Sequence, residues 1–148
     1  MGTELKVLSA AERTIVLRER GQNTERQRLV LRVLWVITCI GVIIGSLLPS
    51  TSKPMELLSN VNDKLIHFGS YGWLAFLPML REPPRTAIIC VATVLLMGIA
   101  LEFGQGLTGY RTLDPFDALA NATGICCGVL LGMWSRFLTA TEHSANPR

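Results

Sequence analysis

The sequence predicts an all-α fold, a four-transmembrane-helix membrane bundle with N-in/C-in topology. Composition is the first observation: 49% of the 148 residues are hydrophobic and only 17% are charged. Four apolar runs, Leu29–Leu48, Leu65–Leu80, Thr86–Leu101 and Ala118–Ser135, account for that balance. With a flanking residue or two, each run reaches the roughly 17–20 residues that a helix needs to cross a bilayer. Four such runs in a short chain leave too little polar surface to cover them in water. The distribution of Lys and Arg is the last observation. With alternating spans, 11 basic residues fall on the side of the N-terminus and three (Lys53, Lys64 and Arg111) on the other. That asymmetry places the N-terminal side in the cytoplasm.

The expected organisation is a cytoplasmic tail over residues 1–28, a membrane domain over 29–138 and a cytoplasmic tail over 139–148. The expected spans are about 29–48, 64–80, 86–103 and 117–136. The first tail alternates charges with scattered apolar residues, and Gly21-Gln22-Asn23 is expected to break it. Leu5, Leu8 and Ile15 leave two alternatives open, a short amphipathic helix on the inner leaflet or an unordered tail. Span one is too long, and too far from the N-terminus, for a cleaved signal peptide. It carries Thr38, Gly41 and Gly45 on one stripe, read as a surface for close helix approach.

Span two starts at Asn62-Asp63, a plausible cap for the free N–H groups of its first turn. The turn Arg81-Glu82-Pro83-Pro84-Arg85 folds spans two and three into an antiparallel hairpin. Gly124, Gly128 and Gly132 form a second small-residue stripe on span four. The tail from Thr139 to Arg148 is expected to be disordered. Cys39, Cys90, Cys126 and Cys127 lie inside apolar runs without metal spacing, so they read as core or lipid-facing residues. The basic residues stand where topology needs them, and no nucleic-acid partner is expected.

The polar chemistry gathers at one level. On span two, Asp63, His67 and Ser70 share a face, with Lys64 and Tyr71 beside it. Glu102 and Gln105 share a face on span three, as do Asp117 and Asn121 on span four. Arg111 lies in the connection between those two spans. The topology puts all of them at the outer ends of their helices. Taken singly, the aspartates serve as caps, worth about 1 kcal/mol each, and the amides as interhelical hydrogen bonds of about 0.6–2 kcal/mol. Together they exceed what four short helices need for pairing.

The expected ligand-binding set is therefore Asp63, Lys64, His67, Tyr71, Glu102, Gln105, Arg111, Asp117 and Asn121. Within it, His67, Asp63, Glu102 and Asp117 are the candidates for acid–base chemistry. No nucleophile elbow, phosphate loop or metalloprotease motif is present. The carboxylates and His67 suit a hard divalent cation, but no spacing demands one. Neither a metal nor a cofactor is expected.

Asp63-Lys64-Leu65-Ile66-His67-Phe68-Gly69-Ser70-Tyr71 resembles the DK-x-x-HF-x-x-Y signature of the VanZ-like family of small bacterial membrane proteins. Glu102-x-x-Gln105, then Arg111, then Asp117-x-x-x-Asn121-x-x-Gly124 is similar to the family's second motif. The short approach Thr108-Gly109-Tyr110 departs from the proline-glycine turn of the family. The resemblance covers roughly residues 30–138. It implies a multi-pass protein of the bacterial cytoplasmic (inner) membrane with a connection to the envelope, and names no reaction.

The functional expectation is a polar outer-leaflet pocket that binds, or assists the handling of, an envelope lipid or lipid-linked glycan. The partners expected are membrane lipids and a lipid-linked envelope precursor. The alternatives are an enzyme acting on an anionic lipid headgroup through His67 and a carboxylate, and a structural membrane partner without a ligand. Oligomeric state is not legible in the sequence.

Overall fold

The computed structural model describes residues 9–48, 63–108 and 115–145. They form four helices: α1 (Ala10–Leu47), α2 (Asp63–Arg81), α3 (Pro84–Thr108) and α4 (Pro115–Ala145). No strand occurs among the described residues. The sequence-predicted all-α four-helix arrangement is present, and α1, α3 and α4 are each long and apolar enough to cross a membrane. α2 is less apolar, because it carries Asp63, Lys64, His67 and Arg81. It is also the helix the others enclose, with His67, Tyr71, Leu74, Ala75, Leu77 and Pro78 buried.

Both ends of the chain are more helical than the sequence reading expects. α1 begins at Ala10, where Ser9 and Glu12 form a reciprocal capping box. The Ser9 N–H donates to the Glu12 carboxylate at 2.9 Å, satisfying one of the donors that a helix start leaves free. The helix runs through Gly21-Gln22-Asn23 without a break. One helical glycine costs only about 1 kcal/mol, and the flanking Arg and Glu residues favour helix, including the Arg28–Glu25 pair at 2.8 Å. Leu5 and Leu8 lie outside the described residues.

At the other end, α4 extends to Ala145 instead of stopping near 136. No Gly or Pro interrupts Ser135–Ala145, and Asn146-Pro147 is the first pair that opposes helix. Pro84 and Pro115 occupy the first positions of α3 and α4, where a missing N–H costs nothing.

α2 packs most closely on α4, and the two run parallel. A Cβ on Gly124, Gly128 or Gly132 would overlap Phe68 O, Gly72 O and Met79 Cβ respectively. The α4 glycine stripe therefore lies directly on α2, as its spacing predicts, in steps of one helical turn. Gly72 returns the contact, since a Cβ there would sit 3.1 Å from Gly124 O.

The α1 stripe behaves differently. Nothing lies within 4 Å of a Cβ placed on Gly41 or Gly45. The sequence reading of this stripe as a packing surface is corrected: it borders open space.

α1 is fastened instead at orphaned backbone carbonyls. Pro78 has no N–H for the carbonyl of Leu74 one turn earlier. The Trp35 indole N–H of α1 donates to that carbonyl at 2.9 Å, which makes a proline tolerable inside a buried helix. Near the end of α1, Gln105 of α3 donates to Ser46 O at 2.9 Å. That carbonyl lies in the last turn, where no intrahelical donor remains.

At the opposite end of the bundle Glu82 joins three helices. Arg32 Nε and Nη2 donate to its two carboxylate oxygens at 2.6 and 2.8 Å, a two-pronged pairing. Arg136 of α4 donates to the Glu82 backbone oxygen. Glu82 is 6% exposed, and the Arg32 hydrogen bonds hold its carboxyl below the ordinary 4.5.

The outward faces are apolar, with Ile88, Leu96, Phe103, Leu130 and Trp134 all more than 60% exposed. Such a surface suits lipid and is a liability in water. All four cysteines are free, and Cys126 and Cys127 face outward.

Two expected outcomes follow. Gly128→Leu places side-chain atoms against α2 backbone and should lower the melting temperature in detergent by the equivalent of at least 1–3 kcal/mol, roughly the cost of overpacking. Gly41→Leu should melt like the wild type, and equal loss in both variants would refute the packing assignment. The second concerns pH. Glu82 binds its proton less readily in the folded chain than in the unfolded one, so protonation favours unfolding. Its contribution should be complete above pH 4.5, the ordinary carboxyl value, and should fade as pH drops below it. Glu82→Gln should lower the melting temperature at neutral pH and remove that part of the acid sensitivity.

Candidate functional site

Parallel α2 and α4, in the register the glycines set, bring two first turns together. Asp63 and Lys64 open α2, and Asp117 stands in the first turn of α4. Carboxylates suit these positions because the free N–H groups at a helix start favour negative charge. Asp63 is the first helical residue, and Asn62, the other cap candidate, lies outside the described residues.

Across the two helices, Lys64 Nζ donates to Asp117 Oδ1 at 3.1 Å. The same ammonium lies 5.6 Å from the centroid of the Phe116 ring. One turn deeper, His67 Nδ1 lies 3.0 Å from Asn121 Oδ1. His67 Nε2 points the other way and is 4.0 Å from both Asp63 Oδ1 and Asp117 Oδ2.

Tyr71 lies one further turn down, nearly parallel to the His67 ring with centroids 6.4 Å apart. It is 1% exposed. Gly98 of α3 makes room for it, since a Cβ there would sit 2.9 Å from Tyr71 Cε1. His67, Asp117 and Asn121 are buried as well. Asp63, with its side chain 44% exposed, forms the rim.

The structure therefore assembles Asp63, Lys64, His67, Asp117 and Asn121 into one cluster, floored by Tyr71. Glu102 is buried on the far side of Tyr71 and Asn121, where all three border a void of about 40 Å³. Gln105 closes the end of α1 through Ser46. Arg111 lies outside the described residues.

Beside the cluster is a cleft of about 300 Å³ between α1 and α2. Asp63, His67, Ser70 and Tyr71 line one wall, and Thr38, Gly41, Val42, Gly45 and Ser46 line the other. The α1 wall is what sequence reasoning missed. Its signal, the Thr38/Gly41/Gly45 stripe, was visible and admitted two meanings, contact or clearance.

Residues 18–136 match the VanZ/LLP1 family, a span that contains every residue of the cluster. The chain belongs to that family. Its family and its membrane-length helices make this VanZ/LLP1 protein an integral membrane protein.

Uncharacterized protein C11E3.10 of Schizosaccharomyces pombe is 28% identical to it over 114 residues. That match covers 72% of this chain and 64% of the relative, so the chain spans less than two thirds of that relative's length. A yeast relative means that the likeness does not point to bacteria alone. No solved structure matches.

The His67–Asn121 hydrogen bond gives the expected outcome for this site. Asn121→Ala leaves a buried ring nitrogen without its partner, a loss of about 1–3 kcal/mol. Combined with His67→Ala, the double variant should lose less stability than the two single losses added. Additive losses, read from melting in detergent, would show that the two side chains do not act as a pair.

Proposed function

We propose that this VanZ/LLP1 protein takes the headgroup of an envelope lipid or lipid-linked glycan into the cleft between α1 and α2. The two-sided lining of that cleft carries the reading. Thr38, Gly41, Val42, Gly45 and Ile66 offer a mostly apolar track for a lipid chain, while Asp63, His67, Ser70 and Tyr71 offer polar groups at its head. Gly41 is exposed, so the cleft opens sideways at the bundle surface, the direction from which a lipid arrives.

Carboxylates accept hydrogen bonds from sugar hydroxyls, and Lys64 supplies positive charge for a phosphate. Arg111, within the second polar motif in sequence, is the further candidate for that role. The apolar stem with convergent polar groups is the usual make-up of a small-molecule site.

In this reading the protein is multi-pass in a cytoplasmic membrane and the cleft faces outward. The basic residues Arg26, Arg28, Arg32, Arg81, Arg85 and Arg136 support that orientation, because all stand toward the Glu82 end of their helices. A second reading, turnover of the bound headgroup, is supported by His67 lying between two carboxylates. A positioned imidazole of that kind can transfer a proton.

The experiment uses the open space beside Gly45. Gly45→Leu places a side chain in the cleft at a position where nothing lies within 4 Å of its Cβ, so the folded variant should lose a lipid that the wild type carries through purification. Native mass spectrometry of both proteins reads the difference. Identical lipid complements would overturn the binding reading, and headgroup release from the retained lipid would establish turnover.

A further inference from the structure

His67 is 7% exposed, and its two ring nitrogens have unlike surroundings. Nδ1 faces Asn121 Oδ1 at 3.0 Å. With a carbonyl oxygen opposite, a neutral ring places its hydrogen on Nδ1 and its lone pair on Nε2. That lone pair is aimed into a gap between Asp63 Oδ1 and Asp117 Oδ2, each 4.0 Å away. Among the described residues Nε2 has no hydrogen-bond partner, since 4.0 Å exceeds the reach of a hydrogen bond.

A buried lone pair facing two anionic oxygens is repulsive unless positive charge lies between them. A proton on Nε2 would supply charge, but an imidazolium N–H draws a carboxylate oxygen to about 2.7–2.9 Å. The observed gap is wider than that on both sides.

The gap has the size of a metal site. One ligand atom from each of Asp63, His67 and Asp117 lies within 4.8 Å of the other two. A point equidistant from three such atoms is roughly 2.2–2.5 Å from each, in the range of metal–oxygen and metal–nitrogen bonds.

We propose that Asp63, His67 Nε2 and Asp117 hold one divalent cation at this end of the bundle. Asp63-x-x-x-His67 alone is two residues on one helix face. The third donor comes from α4, through a register that no local spacing reveals.

The surroundings orient these donors as a metal site requires. Asn121 fixes the His67 ring, and Lys64 holds Asp117 Oδ1, leaving Oδ2 toward the gap. Two carboxylates and an imidazole suit a cation of intermediate hardness, such as Mn²⁺ or Zn²⁺, or Ca²⁺ with added oxygens. Three protein donors leave further coordination positions, which water or an anionic oxygen in the adjoining cleft can fill. The proposal does not depend on the lipid reading, because the bare ion suffices to test it.

The full chain, purified in detergent and stripped with a chelator, is titrated with MnCl₂ while free Mn²⁺ is followed by electron paramagnetic resonance. The wild type should saturate at one ion per chain and melt at a higher temperature when loaded. Asp63→Asn and His67→Gln should weaken binding at least tenfold, whereas Glu82→Gln, at the far end, should bind as the wild type does. Asp63 is at the rim, so Asp63→Asn decides the matter if His67→Gln does not fold. No saturable uptake of Mn²⁺, Zn²⁺ or Ca²⁺ by the wild type, or unchanged binding in folded Asp63→Asn, would overturn the proposal.

Discussion

The backbone contact between α2 and α4 fixes everything else in this bundle. In lipid, apolar side chains gain nothing by turning toward one another, so association rests on close packing and on hydrogen bonds. Gly124, Gly128 and Gly132 remove the side chains that would hold α4 away from Phe68, Gly72 and Met79. Three glycines one turn apart also set the register. That register places Asn121 against His67 and Asp117 against Lys64. Rotating α4 by a single residue, 100° about its axis, would turn both polar side chains away from α2.

The cleft has a different origin. α1 is bound where α2 and α3 meet backbone groups that need partners: the carbonyl freed by Pro78, and the terminal carbonyl of Ser46. An unsatisfied carbonyl in hydrocarbon costs several kcal/mol, so these two fastenings are strong reasons for α1 to stay. Between them Gly41 and Gly45 leave space rather than contact. Proline chemistry in α2 and amide chemistry in α3 thus hold open a gap whose polar wall is the Asp63–Tyr71 face.

How much of this the sequence reveals depends on whether the signal is local. The apolar runs, the hairpin at Pro83-Pro84 and the polar residues at one level are local, because helix period and length determine them. The two glycine stripes show where that reasoning stops. Gly41/Gly45 and Gly124/Gly128 have the same spacing, and only the second meets a helix. A small side chain permits close approach but does not bring a partner. Glu82 is a similar case. In the sequence it is one residue of a proline-rich turn; in the fold it is buried beneath Arg32, 50 positions away, and Arg136, 54 positions away. The ends of α1 and α4 were legible in the Ser9/Glu12 capping box and in the absence of breakers after Ser135, but no membrane span requires them. Arg111, prominent in the motif, lies outside the described residues, and its relation to the cluster rests on sequence alone.

α2 joins stability to chemistry. Among the four described helices it is the one without a membrane-length apolar stretch, and one face of it packs against α1, α3 and α4, whose outer faces are apolar. Its polar set is not needed to hold it there, because the glycine contact with α4 already does so along most of its length. Interhelical polar contacts in membrane proteins average only about 0.6 kcal/mol, little return for burying His67 and Asp117. A lone pair aimed between two carboxylates adds nothing to stability on its own. In the proposed reading these groups serve as donors to something that enters from the cleft rather than as fasteners. The face of α2 that must be hidden from lipid is the face that carries the candidate site, so enclosing it by three apolar helices makes the bundle compatible with the membrane and assembles the polar cluster in one step.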